Sequence, residues 1–254
     1  MDKQLNRWAV FLLASLSAGA QVLSPIISSG NGYTPSVYYR SGVGLFQSDA
    51  CTTAASANND PVGCWQDQNG LKNLVQATGG NKPLLSTATP VSVSFDGSSD
   101  NLKYAAGISD TIGSITIAFQ TGATAFSAAQ ALFSSADEGS ANNWFEVGIS
   151  ADGRIYIESN ASGTKHTVVG STYLYNSTNY FLVIAYDGTD YFALLNGVEQ
   201  NPLIVTSIGP YAWFGNVSGA DNLVMGGTVT SAGLVRPCQA KIMEVAIYSQ
   251  DITQ

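Results

Sequence analysis

The chain has 254 residues, of which 45% are hydrophobic and only 11% charged, and a formal net charge of −8. That apolar content excludes a disordered chain, and an acidic balance without any Lys/Arg cluster excludes a phosphate backbone as partner. With charges this sparse against roughly a quarter of residues in ordinary soluble domains, the surface must be built from neutral Ser, Thr, Asn and Gly, as in proteins that work outside cells or inside assemblies.

Residues 1–50 open with Lys3 and Arg7, the apolar run Trp8 to Leu16, and the small residues Ala18-Gly19-Ala20. The run is too short to span a bilayer as a helix, so no membrane span is expected. Its layout fits either a secretory signal that is cleaved or a retained apolar helix that docks on neighbours, and we adopt the retained helix. Residues 22–50, with Ser29-Gly30-Asn31-Gly32 and the Thr34-Pro35 step, read as an extended arm. Residues 51–89 form a lead-in segment. There Cys51 and Cys64 bracket the polar loop Thr52 to Gly63, which a disulfide would close with a gain of about 3 kcal/mol; two free thiols are the alternative. Cys238 has no evident partner.

From Pro90 onward the chain becomes a series of short β segments parted by turn residues. Val91, Val93 and Phe95 alternate with Ser92 and Ser94 before Asp96-Gly97. Ile115, Ile117 and Phe119 alternate in the same way. Phe145, Val147 and Ile149 form a third series, and Asp152-Gly153 then turns the chain into Arg154 to Glu158, a strong hairpin signal. Tyr180 to Tyr186 is apolar throughout, as in a strand covered on both faces. Asp187-Gly188 and Asn196-Gly197 frame Tyr191 to Leu195, and Leu223 to Gly226 and Ile242 to Tyr248 supply late strands. With no long helix between them and no internal repeat, these segments predict an all-β antiparallel sandwich or jelly roll.

In their order the segments resemble the laminin-G/concanavalin A-like family. Phe95 to Leu102 resembles its opening strand and turn, and Ile115 to Phe119 its following core strand. Tyr186-Asp187-Gly188 leading to Leu195-Asn196-Gly197 resembles its central hairpin. Met225-Gly226-Gly227 with Ala240 to Tyr248 resembles its closing pair. The resemblance implies a jelly-roll domain over residues 90–254. Upstream, Asp60 to Gly70 and Asn81-Lys82-Pro83 are similar to lead-in segments in bacterial surface proteins and tailed-phage virions. The fold hosts glycan binding, adhesion and capsid decoration alike.

An enzyme is not expected. His166 is the only histidine, is read as solvent-facing at a strand end, and has no nucleophile motif beside it. Glu146, Glu158 and Glu244 each stand alone on their strands, without the acid pair that glycoside hydrolysis needs, and are read as solvated or turn-bonded. For a glycan the candidate contacts are Trp144 with Asn142 and Asn143, and Tyr211 and Trp213 with Asn216, since aromatic platforms with amide partners are what sugars stack on. Should calcium be a cofactor, its oxygen ligands would come from Asp187, Asp190 and Asp221. The expected function is a non-enzymatic virion structural protein of a tailed phage, decorating capsid or tail. Its partners would be other virion subunits or further copies of itself, with cell-surface glycans as an added contact. The alternative is a secreted bacterial lectin or adhesin with a cleaved signal peptide.

Overall fold

A computed structural model describes residues 33–253, and the helix expected near the N-terminus lies outside them. The first strands are β1 (Val37–Arg40), β2 (Leu45–Phe46), β3 (Cys64–Trp65), β4 (Leu74–Val75), β5 (Leu84–Ser86) and β6 (Ser92–Asp96). Next come β7 (Leu102–Tyr104), β8 (Gly113–Thr121), β9 (Gln130–Ala136), β10 (Trp144–Ile149), β11 (Arg154–Ala161) and β12 (Thr164–Tyr173). The chain continues through β13 (Asn179–Tyr186), β14 (Tyr191–Leu195), β15 (Val198–Glu199) and β16 (Ile204–Ser207). It closes with β17 (Leu223–Met225), β18 (Thr228–Thr230), β19 (Gly233–Val235) and β20 (Gln239–Tyr248).

All pairings are antiparallel, and the strands form two packed sheets and a separate two-stranded hairpin, β18-β19. Sheet one runs β15-β14-β13-β8-β20-β6-β5, with β1 also paired to β20; sheet two runs β16-β12-β11-β10-β9-β17-β7-β4-β3-β2. Period-two alternation decides which side chains meet. In sheet one Ile117 lies between Leu182 and Val245, and Ile115 between Ile184 and Ile247. Such cross-strand apolar pairs are the unit of sheet stability. Phe145, Val147 and Ile149 of β10 and Ile155 and Ile157 of β11 face them from sheet two within one continuous core. The sandwich anticipated from the strand pattern is therefore what the chain forms.

The pattern did not reveal how much of the upstream sequence joins the sheets. Val37 and Tyr39, inside the stretch read as an arm, are fully buried where β1 lies along β20. The lead-in segment contributes β3, β4 and β5. Cys51 and Cys64 are joined in a disulfide, and Cys238 is free and buried. Replacing both bridged cysteines by alanine should lower stability by about 3 kcal/mol, read as a fall in the urea midpoint. An unmoved midpoint would mean that Asp60, whose carboxylate accepts from the Ser56 and Ala57 amides, already holds the loop.

At Gly226 the chain leaves β17 for the β18–β19 hairpin with φ at +95°, and a Cβ there would overlap the Phe95 ring. Only glycine fits that turn. Among the described residues no helix is long and apolar enough to cross a membrane.

Candidate functional site

Because Phe145, Val147 and Ile149 point into the core, Trp144 and Glu146 on the same strand must point out of the opposite face of sheet two. On β11 the same rule sends Tyr156, Glu158 and Asn160 outward, and on β12 Lys165 and Thr167. The register lines them into rows: Trp144 opposite Asn160 opposite Lys165, and Glu146 opposite Glu158 opposite Thr167.

Two glutamates directly opposite on neighbouring strands repel each other, and here neither is solvated. Glu146 is fully buried and Glu158 is 7% exposed. The sheet tolerates them because Arg236, arriving just after β19, inserts its guanidinium between them. It forms ion pairs with Glu146 Oε1 and, at 2.8 Å, with Glu158 Oε1. Lys165 adds a second cation 3.2 Å from Glu158 Oε1. The remaining lone pairs are also engaged. Tyr156 Oη donates to Glu146 at 2.8 Å, Thr228 Oγ1 donates to Glu146 at 2.6 Å, and Thr167 Oγ1 donates to Glu158 at 2.8 Å. Burial drives the Tyr156 hydroxyl well above its ordinary pKa, so it remains a donor.

Beside this network stands Trp144, partly exposed, with Lys165 Nζ 5.1 Å and Arg236 Cζ 5.7 Å from its ring. Cations at that range are held by the ring quadrupole. The Trp144 indole N–H and the Asn160 Oδ1 next to it are buried and carry no hydrogen bond, and buried polar atoms are rarely left so. Asn142 is exposed and Asn143 partly so in the loop entering β10. The face thus offers an aromatic platform, two cations and several amides.

The other candidates separate. Tyr211 lies by Asp187 and Asp190 along a groove of about 440 Å³, and its hydroxyl bonds Asp190. Asp221 instead accepts from the Glu138 amide beside β9, and among the described residues no three His, Cys, Asp or Glu side chains converge as metal ligands. Trp213 corrects the expectation of a surface ring: it is fully buried against Phe145 and Phe214, because the Gly209-Pro210 loop folds inward. Asn216 is spent holding the Trp213 amide at 2.9 Å.

His166 is likewise not solvent-facing. It is 2% exposed, with Nδ1 2.9 Å from the Gly209 carbonyl and its ring 3.8 Å from that of Tyr211. Burial lowers its pKa and favours the neutral ring. Glu244, the third acid read as solvated, is also buried and sits beside Arg40.

This is a two-sheet antiparallel jelly roll with an aromatic, cation-lined outer face. Residues 96–254 match the laminin-G-type family model described as the concanavalin A-like lectin/glucanases superfamily, and the chain belongs to that family. No curated protein matches it. Among solved structures it is similar to the CBM40 of the Ruminococcus gnavus IT-sialidase bound to alpha2,3 sialyllactose. That match has 19% identity and a TM-score of 0.49, covering 58% of this chain and 79% of that one. It is similar also to the NanB sialidase from Streptococcus pneumoniae, at 16% identity and a TM-score of 0.50, covering 63% of this chain and 26% of that one. For the Trypanosoma rangeli sialidase in complex with sialic acid the values are 9% and 0.55, covering 85% of this chain and 31% of that one. At these identities the likeness is one of fold.

Proposed function

We propose that this chain is a non-catalytic carbohydrate-binding jelly roll that holds its glycan on the face around Trp144. The observation that carries this reading is the pairing of a partly exposed tryptophan with unsatisfied polar atoms on the same row of the sheet. Sugar sites combine an apolar platform with a few fixed polar groups in this way. Membership in a family of lectins and glucanases agrees with it.

The facing glutamates favour binding over hydrolysis. A retaining glycosidase keeps two carboxyl groups about 5 Å apart with the sugar between them. Here a guanidinium fills that space, and Glu146 has no exposed surface.

Screening the full chain on an array of neutral and sialylated glycans should give saturable binding. Trp144→Ala should weaken it about tenfold or more in a chain that circular dichroism shows still folded. Undiminished binding by that variant would place the site elsewhere, and a shortened oligosaccharide product would overturn the non-catalytic reading.

The setting we infer is the virion of a tailed phage, with other virion subunits or further copies of this chain as partners. The lead-in similarity at residues 60–70 and 81–83 and the neutral polar composition support it. Particles that lack the chain after washing would count against it. A secreted bacterial lectin or adhesin is the second reading. It is favoured by the Cys51–Cys64 disulfide, since such bonds persist in oxidising compartments.

A further inference from the structure

At the far end of β10 from Trp144, roughly 17 Å away at 3.3–3.4 Å per residue, three loops meet. They are the β8–β9 loop with Phe126, the β10–β11 turn with Asp152, and the β12–β13 loop with Tyr175 and Asn176. Between them lies a depression of about 350 Å³. We propose that it is a second saccharide-binding site, which stacks one neutral pyranose ring on Tyr175 and holds its hydroxyls with Asp152 and Asn176.

Single exposed aromatic rings are ordinary on a protein surface. Tyr175 differs because the residue is 76% exposed while its backbone is fixed on both sides. Its amide donates to Tyr180 Oη at 2.8 Å, and its carbonyl accepts from Thr121 Oγ1 at 2.6 Å. The preceding Leu174 is buried, and its amide donates to the Gly153 carbonyl at 2.7 Å. Tyr173, two residues back, is 60% exposed. With its backbone fixed, a tyrosine has only two side-chain torsions left to order on binding, which is why such rings serve as recognition platforms.

The polar partner is equally preorganised. Asp152 takes a two-pronged grip from Arg154, at 2.9 Å from Nε and 2.6 Å from Nη2, and accepts from Ser150 Oγ at 2.5 Å. These bonds hold its carboxyl below the usual range, so it stays an acceptor. The Phe126 ring lies so close over Gly153 that a Cβ there would collide with it, which ties the β8–β9 loop to the turn. Since Arg154 neutralises Asp152, the depression favours neither an anion nor a cation. Its volume is near the lower limit for ligand sites and suits one or two sugar rings.

The test is a ¹⁹F NMR titration of the full chain carrying 3-fluorotyrosine, with Tyr173 and Tyr175 assigned by phenylalanine substitution. The probes are cellotriose, maltotriose and N-acetyllactosamine, each added separately. At least one should shift the Tyr175 resonance saturably. With affinities of all variants read by isothermal titration calorimetry, since Tyr175→Ala lacks the reporting ring, that variant should weaken the binding about tenfold or more, Asp152→Asn should weaken it less, and Trp144→Ala should leave it unchanged. The proposal fails if none of the three sugars moves Tyr175, or if Tyr175→Ala binds as the native chain does. Binding lost in Trp144→Ala but kept in Tyr175→Ala would overturn this site and leave the Trp144 reading standing.

Discussion

Arg236→Ala should lower folding stability by about 3–5 kcal/mol, the usual cost of removing one partner from a buried charge network. Without the guanidinium, Glu146 and Glu158 face each other across β10 and β11, with Lys165 as the remaining cation beside them. The network need not itself stabilise the fold, because apolar residues of equal volume often do as well. The expected loss is the penalty of stranding two carboxylates. Combining Arg236→Ala with Glu146→Gln and Glu158→Gln should therefore recover most of it. Backbone strain can be separated from charge. Arg236 has φ at 51°, a left-handed conformation that costs a non-glycine residue roughly 1 kcal/mol. Arg236→Gly should thus be about 1 kcal/mol more stable than Arg236→Ala. Chemical denaturation of the four proteins decides the matter. A loss below about 1 kcal/mol in Arg236→Ala would mean that the carboxylates do not depend on the bridge.

Much of this face was within reach of the sequence. The Asp152-Gly153 turn with Ile149 and Ile155 on either side defines the β10–β11 hairpin. Once Ile149 is placed opposite Ile155, counting back puts Glu146 opposite Glu158 and Trp144 opposite Asn160, as observed. Reading each glutamate only along its own strand missed the pair, since the neighbour that matters is across the ladder. Arg236 had no such signal. It is 78 residues beyond Glu158, and only the turn at Gly226 and the β18–β19 hairpin bring it to the face. Trp213 and His166 misled for a related reason. Gly209-Pro210 reads as a surface loop, yet Gly209 packs against the Lys165 and His166 backbone so closely that a Cβ would collide with it. Local composition marks a turn without saying which way it folds. In β1, four residues of alternation were too few to separate a strand from an arm, and only pairing with β20 decides it.

Acidification from pH 8 to about 4.5 should stabilise the protein, against the common pattern in which carboxylates weaken a fold as they are protonated. Two buried acids set the sign. Asp100 is pushed up to about 6 from 3.8 by burial and then by the nearby Asp96. Glu244 is pushed up to about 7 from 4.5 by burial, which outweighs the attraction of Arg40 and a hydrogen bond with Tyr38. Each folded-state value lies above the unfolded one, so each acid destabilises the fold when ionised. That cost is full above about pH 7, falls as pH drops through the folded value, and is gone below the unfolded value. The two shifts together correspond to about 6 kcal/mol, most of it recovered by pH 4.5. His166 acts in the opposite sense: kept neutral by burial, it favours the unfolded chain as pH falls below its ordinary 6.5. It is one group against two, and the net gain survives. Asp96 sets the lower limit. Its carboxyl accepts from Ser98, Ser99 and Asp100 and is held at about 2 despite the opposing effect of burial. The stability it contributes is lost as pH falls from 3.8 toward 2, which places the maximum near pH 4.5. That is also close to the sequence pI of 4.4, so melting curves need dilute protein to avoid precipitation. Under those conditions the melting temperature should climb by about 10 °C between pH 8 and pH 5. Asp100→Asn with Glu244→Gln should raise the pH 8 value and flatten the profile. Stability that instead rises with pH across that window would show that these two acids are solvated in the folded protein.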